Sequence, residues 1–87
     1  MINTVTIKDV KVQLGLLCKQ KRQIYNMSQE DLAEAVGISR FTVQKFENGK
    51  NATLDTVLKI ANHFDLLNGL YQALKHSEQS NDINPLY

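Results

Sequence analysis

SQEDLAEAVGISRFTVQKFENGK, residues 28–50, contains two short helical patterns separated only by Gly37 and Ile38 ahead of a second cap. Ser28 followed three residues later by Asp31 is a capping-box-like pair, able to satisfy free amides at a helix start. Leu32, Ala33 and Val36 then share one helical face. Gly37 can take the left-handed conformation that ends this helix, Ile38 supplies an apolar plug beneath the turn, and Ser39 caps the next helix. There Val43 and Phe46 face inward at a three-residue spacing, and Asn48 and Gly49 stop the helix. The gap leaves no room for a strand, a cofactor loop or an independent lobe.

Two helices so closely joined must pack at a steep angle, which is the layout of a helix-turn-helix. Arg40, Phe41, Thr42, Gln44 and Lys45 remain on the other sides of the second helix. Together they offer donors, a guanidinium and one exposed ring.

Outward from the motif, Thr6 with Asp9 starts a first helix whose apolar positions Ile7, Val10, Leu14, Leu17 and Cys18 keep a helical period to about Ile24. Asn26 is placed to end it in a left-handed turn, with Met27 tucking back onto the core. On the other side, Thr53 caps a fourth helix carrying Leu54, Val57, Leu58, Ala61 and Phe64, which Asp65 interrupts. A fifth helix from about Leu67 to His76 presents Leu67, Leu70, Tyr71 and Leu74. Residues 1–5 read as a flexible arm or a brief strand, and residues 77–87 as an irregular C-terminal tail.

The 87 residues, 43% of them apolar, suffice for one small all-α domain, and no Pro/Gly-rich linker divides them. The absence of an apolar run of membrane-spanning length and of an export-type N-terminus predicts a cytoplasmic protein with no membrane partner. Cys18 is the single cysteine, in phase with the first helix's apolar stripe, so it reads as a small core residue and neither a disulfide nor a metal ligand. Net charge is only +1, but it is polarised. Residues 1–50 hold eight Lys/Arg against five Asp/Glu, and residues 51–87 hold two against four. The positive charge lies on the helix-turn-helix half.

The pattern Q-x-x-L-A-x-x-V-G-I-S-x-x-x-V-x-x-F-E-N-G-K resembles the lambda-repressor and Cro type of helix-turn-helix domain, the XRE family, over about Lys19 to Leu66. The resemblance implies a compact five-helix domain spanning residues 1–76, with the motif at 28–47, that binds double-stranded DNA. Its second motif helix would lie in the major groove, with Arg40, Phe41 and Lys45 facing bases and Thr42 and Gln44 beside them. Gln29, at a helix start that favours phosphate, together with Asn48, Lys50 and Asn51 would hold the DNA backbone. Arg22 and Glu47 match an arginine and a glutamate that pair in related repressors, clamping helix 1 to the end of helix 3. Phe41 departs from the polar residue often found at its position. Its ring either packs on a thymine methyl or folds sideways as a half-buried aromatic.

No nucleophile, base and orienting group share a recognisable spacing, and His63 and His76 lack metal-ligand spacing, so neither an enzyme nor a bound metal or cofactor is expected. Leu66, Leu67, Leu70, Tyr71 and Leu74 offer more apolar surface than the core needs, which favours a homodimeric regulator, acting as a repressor on a palindromic operator. The competing expectation is a module whose main partner is protein: an antitoxin of the HipB type that binds a toxin and autoregulates its operon, or a subunit that keeps the fold without DNA affinity, with the tail ending Pro85, Leu86 and Tyr87 contacting a toxin or another protein partner.

Overall fold

The computed structural model describes residues 4–82, with side chains through Glu78. It contains five helices, α1 (Ile7–Ile24), α2 (Gln29–Val36), α3 (Arg40–Glu47), α4 (Leu54–His63) and α5 (Leu67–Asp82), and no strand among the described residues. The fold is all-α and fits the lambda-repressor-like arrangement. Pro85–Tyr87 and Met1–Asn3 lie outside the described residues.

Local chemistry sets the boundaries. At α1 and α2 the caps are reciprocal: Thr6 and Ser28 accept the amides of Asp9 and Asp31, whose carboxylates accept the cap residues' own amides. Ser39 and Thr53 accept the amides of Thr42 and Thr56 at 3.0 and 3.1 Å. Gly37 ends α2 at φ 76°, ψ 38°, and the Ile38 amide donates back to the Ala33 carbonyl at 2.9 Å. Asn26 and Asp65 adopt left-handed φ values of 55° and 58°, tolerable for short polar side chains. Their turns return the Met27 and Leu66 amides to the carbonyls of Arg22 and Ala61.

Cys18, Leu32, Ala33, Val43, Phe46, Ile60 and Phe64 form the core, flanked by Leu14, Met27, Val36, Ile38, Val57 and Leu66. Leu32 and Val43 are fully buried where α2 meets α3, each contributing about 1.5–3 kcal/mol by burial. The approach of α1 to α3 depends on Gly15. A Cβ there would lie 2.5 Å from the Glu47 carbonyl oxygen and 2.7 Å from that of Phe46, both backbone atoms.

Three expectations need correction. The α1 stripe is only partly inward: Cys18 is buried and Leu14 half-buried, but Ile7, Val10 and Leu17 are exposed because, among the described residues, no neighbouring helix covers that face. On α4 the buried positions are Thr56 and Ile60, followed by Phe64 at the cap, whereas Leu54 is exposed; the inward face follows an i, i+4, i+8 series. The fifth helix does not stop at His76. It continues to Asp82 through residues free of Gly and Pro, with a Lys75–Glu78 pair one turn apart at 3.2 Å, so residues 77–82 are helical and His76 lies within the helix.

The last helix also leaves the core. α5 rests on α4, with Leu66 and Leu67 half-buried at its base, and every side chain from Asn68 to Glu78 is exposed.

Candidate nucleic-acid interface

The geometry of α3 begins with its buried end. Glu47 closes the helix, and its side chain is 3% exposed beneath the end of α1. Arg22 Nε donates to Glu47 Oε2 at 2.6 Å and Nη2 to Oε1 at 2.8 Å, a two-pronged contact that fixes orientation as well as distance. Gln29 Nε2 donates to Oε1 at 3.1 Å and the Cys18 thiol to Oε2 at 3.3 Å. Arg22 Nη1 donates to the Met27 carbonyl at 2.9 Å, so the guanidinium also ties down the α1–α2 turn.

Burial opposes the charge on Glu47. The bonds from Arg22, Gln29 and Cys18, with the positive charge of Arg22, outweigh that penalty and hold its carboxyl below the usual range. The hydrogen bond to Glu47, opposed by burial, keeps Arg22 protonated even more firmly than usual. Burial, reinforced by the Glu47 carboxylate, pushes the Cys18 thiol up to about 12, so Cys18 is a neutral donor and not a nucleophile.

With Val43 and Phe46 in the core, α3 can turn only its opposite side outward. Arg40, Phe41, Gln44 and Lys45 are exposed. Phe41 is 64% exposed and does not fold sideways against a neighbouring helix; Lys45 Nζ stands 5.4 Å from its ring centroid, within reach of a cation–π attraction. Thr42 is more withdrawn, its hydroxyl 2.8 Å from that of Ser39 and engaged in the helix cap. Asn48 forms the C-terminal cap, and Gly49 turns the chain at φ 75° against Val12 of α1. Lys50 and Asn51 are exposed beyond it, and Asn51 Oδ1 accepts a bond from Lys11 Nζ.

Arg22, Gln29 and Glu47 therefore come together inside the fold, apart from the exposed α3 set. Arg40, Phe41, Gln44 and Lys45 share one outer surface, and Lys50 and Asn51 border it. Three contributors escaped the sequence reading: Gly15, Cys18 as a donor to Glu47, and Lys11 as the partner of Asn51. A glycine inside a helical pattern was the available signal for the first. The other two are contacts across 29 and 40 residues, which local patterning does not register.

Among the described residues no three His, Cys, Asp or Glu side chains are grouped to hold a metal, and no helix is long and apolar enough to cross a membrane. Comparison with known proteins finds the helix-turn-helix family model matching residues 19–67, from the last turns of α1 to the start of α5. A protein of Methanoculleus marisnigri named as an HTH-type transcriptional regulatory protein is 39% identical over 51 residues, covering 59% of this chain and 17% of that protein. A similarly named protein of Methanosphaerula palustris is 43% identical over 51 residues, again covering 59% of this chain and 17% of its own length. An uncharacterized HTH-type transcriptional regulator of Methanocaldococcus jannaschii is 43% identical over 47 residues, covering 53% of this chain and 71% of that one. The chain thus spans less than a fifth of the length of the first two relatives, and the likeness concerns the segment that carries the motif. With five helices, a capped α2–Gly37–α3 turn and a family model matching more than half of its length, the chain belongs to the helix-turn-helix family, of the lambda-repressor and Cro (XRE) type.

Proposed function

We propose that this protein is a sequence-specific DNA-binding repressor, acting as a homodimer on a palindromic operator. The observation that carries the reading is the division of α3: Val43, Phe46 and Glu47 are fixed inside, leaving Arg40, Phe41, Gln44 and Lys45 together outside. A helix held in this way can enter the major groove without reorganising, its N-terminal residues nearest the bases. Arg40, the first residue of α3, donates two bonds to guanine O6 and N7, which typically gives about 1–3 kcal/mol of discrimination. Phe41 packs on a thymine methyl, with Lys45 beside it for a guanine or a phosphate.

Gln29 supports the reading helix through Glu47 and places the positive end of α2 near a phosphate. Asn48, Lys50 and Asn51 complete the backbone contacts. They position the domain and carry no base preference.

The exposed α5 supports the dimer. Leu70, Tyr71 and Leu74 are 40%, 58% and 61% exposed on a helix that no other described residue covers beyond its base. A second copy packed there would set two α3 helices on one duplex face, at a spacing of roughly 34–36 Å for half-sites one turn apart. The same face also fits the HipB-type antitoxin reading, with a toxin in place of the second copy.

The test is a binding selection from genomic fragments with the purified protein at two salt concentrations. Enrichment of an inverted repeat that survives the higher salt is expected, since purely electrostatic binding fades with salt. A monomer with no enrichment over random fragments would overturn the repressor reading and direct attention to a protein partner on α5.

A further inference from the structure

Outside the α3 face, the first two turns of α1 bring a basic edge to the same side of the molecule. Lys8 and Lys11 stand three residues apart, neighbours on one face of α1. They line an open groove with Lys45 of α3 and Lys50 of the loop after it, floored in part by Phe41 and Asn51. Four lysines from three elements line it, and no carboxylate is among the groove's lining residues. Glu47, the acidic residue of α3, is turned inward and neutralised by Arg22.

Contacts between α1 and that loop hold the arrangement in place. Lys11 donates to Asn51 and so links α1 to the segment beyond α3. A Cβ added to Gly49 would lie 3.2 Å from Val12 Cγ2, so the loop is seated directly on α1. Lys45, over the Phe41 ring, belongs to both the groove and the reading surface. Four like charges gathered in one place repel one another, and an anion is the partner that relieves this. Because the groove runs from α1 across to α3 itself, a duplex seated on α3 supplies that anion as a run of backbone phosphates.

We propose that Lys8 and Lys11 form a phosphate-binding edge on α1, which with Lys50 grips the DNA strand flanking the base pairs read by α3. The proposal rests on the DNA-binding reading above. Its signature is electrostatic: each phosphate neutralised contributes about 0.9 to the slope of log K against log salt. Removing both lysines should therefore lower that slope by roughly 2, with an affinity loss of about sixtyfold at 0.1 M salt if binding at 1 M is unchanged. The loss should be the same for every sequence, because phosphates are common to all of them.

The experiment compares the wild type, the double variant K8Q/K11Q, K11R and R40A on a duplex enriched from genomic fragments and on a random duplex, across a salt series. Thermal melting of each variant establishes that it is folded. The expected result is a reduced slope for K8Q/K11Q on both duplexes with the ratio between them kept, a wild-type slope for K11R, and a diminished ratio for R40A. A folded K8Q/K11Q with the wild-type slope, while R40A still loses discrimination, would overturn the α1 edge and leave DNA reading by α3 intact. Failure of the wild type to bind either duplex at low salt would overturn both.

Discussion

Arg22 of α1 grips both carboxylate oxygens of Glu47 at the end of α3, at 2.6 and 2.8 Å, with the two side chains only 11% and 3% exposed. Its consequence for stability lies less in the net value of the pair than in the cost of losing one partner alone. An uncompensated buried charge costs about 3–5 kcal/mol, while removing both partners can be nearly neutral. Arg22→Met should lower stability by about 3 kcal/mol, and Glu47→Gln by somewhat less because the amide keeps an acceptor. The double variant should fall short of the sum by more than about 1 kcal/mol. Denaturant unfolding of the four proteins measures this directly, and an additive result would mean that the two groups do not stabilise each other.

The same carboxylate sets a pH dependence. Burial works against its ionisation, but the bonds from Arg22, Gln29 and Cys18 leave its pKa lower in the folded protein than in the unfolded chain. The unfolded chain therefore binds the proton more readily, so the stabilisation is fully present above the ordinary glutamate range and disappears as pH falls through the lowered folded value. Asp9 and Asp31 act in the same direction, each lowered by backbone and side-chain bonds to its capping residue. Melting temperature measured from neutral pH down through the carboxylate range should decline less steeply in Glu47→Gln than in the wild type. An unchanged acid limb would mean that Glu47 has no part in the dependence.

What was legible in the chain was local. Ser28 with Asp31, Thr6 with Asp9, the left-handed Gly37 and the caps at Ser39 and Thr53 each act within a few residues, and each forms in the structure. Periodicity was less informative, because it identifies residues that share a face without saying whether anything lies opposite. Ile7, Val10 and Leu17 are in phase with Cys18 but remain exposed, and α4 turns Ile60 inward in place of Leu54. The outer face of α3 followed from its two inward positions. The Cys18, Gln29 and Lys11 bonds did not, since each joins helices brought together only by the completed fold.

Gly15 shows how narrow the tolerance is where α1 meets α3. Alanine favours a helix over glycine by roughly 1 kcal/mol, so Gly15→Ala would stabilise an isolated α1. Here its methyl would meet the Phe46 and Glu47 carbonyls at 2.7 and 2.5 Å, and backbone cannot rotate out of the way as a side chain can. Overpacking of this kind costs about 1–3 kcal/mol, and the displaced end of α3 takes Glu47 away from Arg22 as well. The expected outcome is a net loss of about 2 kcal/mol, or roughly 10 °C in melting temperature for a domain of this size. A variant melting at or above the wild-type temperature would show that α1 can shift freely against α3.

Phe41 carries a prediction about sequence preference and not stability. Its ring is 64% exposed, so Phe41→Ala removes little burial and should leave folding close to unchanged. If the ring packs on a thymine methyl, the variant should lose preference for thymine over uracil at one position of each half-site while discrimination at the Arg40 position persists. Binding to duplexes with deoxyuridine substituted for thymidine isolates that methyl group. Equal losses at every position would instead make Phe41 a general prop for α3, acting through the neighbouring Lys45.

Leu70, Tyr71 and Leu74 test the dimer with little risk to the fold, because they are exposed on α5 and the core ends at Phe64 and Leu66. Leu70→Lys combined with Leu74→Lys places two charges on the face that a second copy would cover, where burying them unpaired is strongly unfavourable. The wild type should sediment as a dimer and the variant as a folded monomer with an unaltered helical spectrum. Operator binding should weaken at least a hundredfold, because the second half-site no longer benefits from the high effective concentration that linkage provides. Binding to a single half-site should change little, since α3 is untouched. A wild type that sediments as a monomer, or a variant that remains dimeric, would remove α5 from the dimer interface.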